Sequence, residues 1–130
     1  MARAYTIATA ALTLRMPVKW LDNTLSHIKV AGVKQERQGV ARRITIDGLL
    51  MLALSIVLIN ELRIPLASAI KIAGKLNSNG GRYASPRGVS LQLNLEELKA
   101  DLLERLENAV EITPVPRRGR PPKTKTGRLD

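Results

Sequence analysis

Eleven consecutive residues, Leu49 to Ile59, carry no charge and only one hydroxyl, that of Ser55. A run this apolar must be taken out of water, and at eleven residues it falls well short of the roughly 20 needed to cross a bilayer. The spacing predicts a helix from Gly48 to about Arg63, capped by Asp47 and apolar nearly all round. Such a helix is either the buried centre of the fold or a dimer face. The chain has 130 residues, no Phe, one Trp and two Tyr, so aliphatic side chains must build the rest of the core around it.

The flanking segments supply the layers. Ile7, Ala10, Ala11 and Leu14 recur at spacings of three and four, which predicts a helix over about 7–14 with Thr6 as cap. Arg15-Met16 reads as a short break. Pro17 suits the first turn of a second helix running to about His27, expected to bury Val18, Leu21 and Leu25 and to show Lys19, Trp20, Asn23 and Thr24 on its other face. Ile28, Val30, Val40, Ile44 and Ile46 recur at even spacing around a polar stretch at 34–39, the pattern of a β-hairpin decorated by Lys29, Lys34, Arg37, Arg42 and Arg43. Pro65 opens a fourth helix to about Leu76. Asn77 to Gly88 has loop composition, and Val89, Leu91 and Leu93 alternate as one short strand. Asn94 with Glu97 forms a capping box for a last helix carrying the stripe Leu95, Leu98, Leu102, Leu106 and Val110. That stripe either closes the monomer core or pairs with a second copy.

Charge is concentrated at the two ends. The formal net charge is +10, of which residues 1–46 carry +6 and residues 113–130 carry +5, while 77–112 is slightly acidic. A charge of this size and placement seeks a polyanion. A pair of short helices followed by a basic hairpin fits duplex DNA, with the second helix in the major groove and the hairpin against phosphates. Lys19 is suited to a phosphate or guanine, and Asn23 to a bidentate contact with adenine. The competing reading is a solvated polar face.

These residues resemble a known family. Tyr5-Thr6-Ile7, Ala11 and Met16-Pro17-Val18-Lys19-Trp20-Leu21 look like the opening of MerR-type regulators. Arg43-Ile44-Thr45-Ile46-Asp47-Gly48-Leu49-Leu50 resembles the junction between that family's wing and its next helix. Asn60 to Leu66, with Ile70-Lys71, resembles the turn between its third and fourth helices. The resemblance covers residues 5–76. It implies a winged helix-turn-helix, with Lys19, Trp20 and Asn23 as recognition-helix contacts and Arg42 and Arg43 as wing contacts. The chain departs from the family pattern in having Asn23 and Thr24 where two aromatics are usual, and in lacking cysteine thiolates. Metal or drug sensing is therefore not expected.

From Thr113 onward Pro, Arg, Lys, Gly and Thr dominate, a composition that forms no core and predicts a disordered tail. Pro116-Arg117-Arg118-Gly119-Arg120-Pro121-Pro122-Lys123 resembles an AT-hook. Gly119 would let the backbone lie on the floor of a narrow minor groove while Arg118 and Arg120 extend along it, with Arg117 beside them. Lys123, Lys125 and Arg128 add phosphate contacts. The competing reading is a nonspecific cationic tail.

The expected fold class is mainly α. Residues 1–76 form a winged helix-turn-helix of four helices plus a β-hairpin wing. Residues 77–112 form a loop, short strand and amphipathic helix available for dimerisation, and 113–130 a disordered basic tail. The expected partners are double-stranded DNA and a second copy of the chain, with no membrane, small-molecule ligand, cofactor or metal. No Ser-His-Asp set, carboxylate pair or phosphate loop is present, so no enzyme activity is expected; His27, the lone histidine, suits a helix-end cap or a phosphate contact. The opening residues lack the pattern of a secretory leader, and a cytoplasmic, nucleoid-associated protein is expected. An architectural DNA binder of low specificity and a partner-binding accessory factor remain alternatives. Single-stranded RNA is disfavoured, because one Trp supplies no stacking platform.

Overall fold

The computed structural model describes residues 3–35 and 41–112. Arg37 and the tail residues Arg117, Arg118, Gly119 and Arg120 lie outside the described residues, as does the rest of 113–130. The described chain is mainly helical, with two small antiparallel sheets.

The apolar run is the centre of the molecule. Helix α3 spans Ile46–Leu62 and buries every residue from Gly48 to Ser55, together with Leu58. The single hydroxyl in this stretch is satisfied within the helix, Ser55 Oγ donating to the Met51 carbonyl at 2.8 Å. The cap is Thr45 rather than Asp47: Thr45 Oγ1 accepts from Gly48 N at 3.2 Å, and Asp47 sits in the first turn. Its carboxylate there still complements the positive end of the helix.

Helix α1 spans Ile7–Leu14, with Thr6 Oγ1 accepting from Thr9 N at 3.2 Å. Arg15 ends it in the left-handed region, at φ 57°. The amides of Arg15 and Met16 turn back to Leu12 and Ala11 oxygens at 3.2 and 3.0 Å, satisfying carbonyls that a helix end otherwise leaves open. Pro17 then precedes α2, Val18–His27, so the two helices are separated by three residues.

A three-stranded sheet follows, in the order β1-β3-β2. Strand β1 is Ala4–Tyr5, β2 is Val33–Lys34 and β3 is Arg43–Thr45. The hairpin predicted from Ile28 to Ile46 is thus shorter. Ile28 and Val30 precede its first strand, Ile46 opens α3, and Val40 lies outside the described residues. Its base is locked onto α3 by backbone contact. The Gly32 carbonyl accepts from both Thr45 N, at 2.9 Å, and Thr45 Oγ1, at 2.8 Å. Gly32 adopts φ +91°, and any Cβ there would meet Gly48 N at 2.4 Å.

Helix α4, Leu66–Ser78, packs on α3 through Ala69, Ile70, Ala73 and Leu76. Part of the expected loop at 77–88 is strand β4, Arg82–Ala84, paired with β5, Ser90–Gln92. Helix α5, Leu95–Ile112, starts at Asn94, whose Oδ1 accepts from Glu97 N at 3.1 Å and whose Nδ2 donates to Glu97 Oε2 at 3.2 Å. Leu102 and Leu106 are buried in the same core as α1 and α3, so the leucine stripe closes this monomer. Arg105 pairs with Asp101 and donates to the Thr13 carbonyl at 3.4 Å, placing a cation at the negative end of α1.

Candidate nucleic-acid interface

Helix α2 is amphipathic. Leu21, Thr24 and Leu25 face inward and Trp20 is half-buried against the core. The outward face is Val18, Lys19, Asp22, Asn23 and Ser26. Lys19 and Asn23, both expected to read DNA, share that face one turn apart. Two expectations are corrected. Thr24 is 5% exposed and cannot touch a groove, whereas Val18, expected in the core, is 51% exposed. Both positions lie about 60° to either side of Leu21 on the helix wheel. The bulk of Trp20 extends the inward stripe towards Thr24, and Val18 is left on the open side.

Arg42, the residue just before the second hairpin strand, reaches this face. Arg42 Nη1 donates to Asp22 Oδ1 at 3.0 Å, and Nη2 donates to Ser26 Oγ at 3.3 Å. Ser26 in turn donates to the Asp22 carbonyl at 2.8 Å, so its hydroxyl is oriented with a lone pair towards Arg42. The base of the hairpin is therefore tied across α2 at Asp22 and Ser26, one turn apart. Neither residue is singled out by the sequence pattern. Both stand on the polar side of α2, but a pairing with Arg42, distant in the chain, carries no local signal.

Arg43 is exposed on β3 directly opposite Lys34 on β2. Directly opposed residues of an antiparallel pair project to the same side of the ribbon, so two cations stand side by side there. Neither makes an ion pair among the described residues. His27 closes α2: its Nδ1 lies 2.8 Å from the Asn23 carbonyl. A carbonyl can only accept, so Nδ1 carries the proton and His27 serves the helix end.

Apart from Asp22, this face carries no acid among the described residues, and most of the acids lie on α5. Glu96, Glu97, Asp101, Glu104 and Glu107 are all exposed on α5. Among the described residues no three His, Cys, Asp or Glu side chains cluster as metal ligands, and no helix is long and apolar enough to cross a membrane. Comparison of the chain with family models, curated proteins and solved structures gives no match.

Proposed function

We propose that the chain is a sequence-specific double-stranded-DNA-binding protein, a transcriptional regulator of the winged helix-turn-helix type. Helix α2 reads the major groove through Lys19 and Asn23, with Trp20 contributing its exposed edge. The hairpin is the wing, and Arg37 and Arg43 contact phosphates from it. The tail secures an adjacent A·T-rich minor groove through Arg117, Arg118, Gly119 and Arg120. A two-fold pair of chains on a palindromic site completes the assembly.

The observation that carries this reading is the joining of the two parts. The open face of α2, bearing Lys19 and Asn23, is bridged by Arg42 to the strand bearing Arg43. Lys34 and Arg43, which make no ion pair among the described residues, add to it. Like charges placed directly opposite one another cost stability, and a phosphate lying across them reverses the sign of that interaction. An α-helix fits the width of the major groove, and a neighbouring hairpin reaches its rim.

The test is affinity for genomic fragments at near-physiological salt, with and without residues 113–130. A regulator retains a strong preference for a few fragments after the tail is removed. Loss of most affinity, with no preference among fragments, would establish an architectural binder instead.

A further inference from the structure

We propose that Arg42 reads a guanine base, and that Asp22 and Ser26 are the positioning residues that aim it. The inference rests on the duplex-reading function above and gives that function a specific base.

A free arginine on a hairpin is a phosphate clamp: it is long, mobile and satisfied by any backbone oxygen. Arg42 is not free. Its two terminal nitrogens are each held by a separate acceptor on α2, Asp22 Oδ1 at 3.0 Å and Ser26 Oγ at 3.3 Å. The acceptors lie one turn apart on the open face that carries Lys19 and Asn23. The Arg42 side chain is 21% exposed and that of Asp22 is 57% exposed, so the pair is open to a ligand arriving on this face.

A guanidinium has five N–H groups, and two are used here. One N–H on each terminal nitrogen, and that on Nε, have no partner among the described residues. A guanine offers O6 and N7 side by side in the major groove, acceptors only, which matches a planar fork of donors. The carboxylate fixes the plane of that fork before the base arrives, so less rotamer freedom is lost on contact. It also works against a phosphate in the same place, because the charge of Asp22 repels the backbone anion while leaving an uncharged base edge acceptable.

The experiment selects duplexes from a random pool with the full-length chain and with Arg42→Ala, Arg42→Lys, Asp22→Ala and Asp22→Asn, each checked for an unchanged melting curve. The wild-type chain is expected to enrich a site containing a guanine position that both Arg42 variants leave unspecified, the other positions being kept. Arg42→Lys retains the charge and loses only the fork, so it separates base reading from general attraction. Asp22→Ala should loosen preference at that same position alone. Asp22→Asn, which keeps an acceptor oxygen, should restore part of it. Replacing the guanine by 7-deazaguanine removes the N7 acceptor. This should cost the wild type about tenfold in affinity and Arg42→Ala almost nothing.

The proposal is overturned if Arg42→Ala selects the same site with every position intact, or weakens all sequences equally. Arg42 then does no more than neutralise Asp22, and the regulator reading stands without it. Failure of the wild-type chain to enrich any site overturns both.

Discussion

Replacing Gly32 with Ala should destabilise the chain more than the same change at Gly88. The added Cβ would lie 2.4 Å from Gly48 N, 2.7 Å from Gly48 Cα and 2.8 Å from Thr45 Oγ1. None of these is the end of a flexible side chain. The first two are helix backbone and the third is held as the α3 cap. Two costs add. A non-glycine residue at φ +91° incurs about 1–2 kcal/mol of backbone strain, and forcing atoms into unyielding backbone costs about 1–3 kcal/mol more. Gly88 separates the two contributions: its φ is +90°, yet nothing lies within 4 Å of a Cβ built there. Gly88→Ala should therefore show only the strain, and Gly32→Ala the strain plus the clash. Urea unfolding followed by circular dichroism measures both, with Trp20 fluorescence reporting on α2 in the same samples. The expected loss is about 2–5 kcal/mol for Gly32→Ala against about 1–2 for Gly88→Ala, a large part of the stability of a domain this size. Equal losses in the two variants would refute the backbone contact between the base of the hairpin and α3.

Other substitutions test separate parts of the fold and site. Asn94→Ala removes the α5 cap and should cost about 1 kcal/mol in urea unfolding with no change in DNA affinity. Leu102→Ala opens a cavity where α5 meets the core and should cost about 2–5 kcal/mol, read as a lowered melting temperature. Lys19→Ala should reduce the steepness with which affinity falls with salt by about one ion, measured by fluorescence anisotropy over a range of salt concentrations.

Much of the helical frame was legible because one physical rule dominates it. Apolar side chains at helical spacing must share a face, and Thr6, Pro17, Pro65 and Asn94 mark starts by their own chemistry. The strands were harder to read. Strand β1 is two residues long and exists because β3 offers it an edge, which no local pattern announces. Strand β4 contains Arg82-Tyr83-Ala84 amid Gly, Ser and Pro, a composition suited to a loop, and is held by pairing with β5.

At the candidate interface, Lys19 and Asn23 were readable from helical spacing, whereas Thr24 was not. Thr24 and Val18 flank Leu21 on opposite sides of α2, and local spacing does not say which flank turns inward. The carbonyl of Thr24 also accepts from Ile28 N at 2.9 Å, fixing the last turn that carries it. The bridge from Arg42 to Asp22 and Ser26 arises only when the hairpin folds back over α2, so sequence spacing is silent about it.

The central claim is that the open face of α2, with the hairpin beside it, is where duplex DNA lies. Isotope-labelled protein titrated at low salt with a mixed-sequence duplex about two helical turns long reports this residue by residue. The account predicts the largest resonance shifts at Lys19, Asp22, Asn23, Ser26, Arg42 and Arg43, with the outer face of α5 around Glu97 and Glu104 unmoved. Shifts centred on α5, or a spectrum unchanged by saturating duplex, would contradict it.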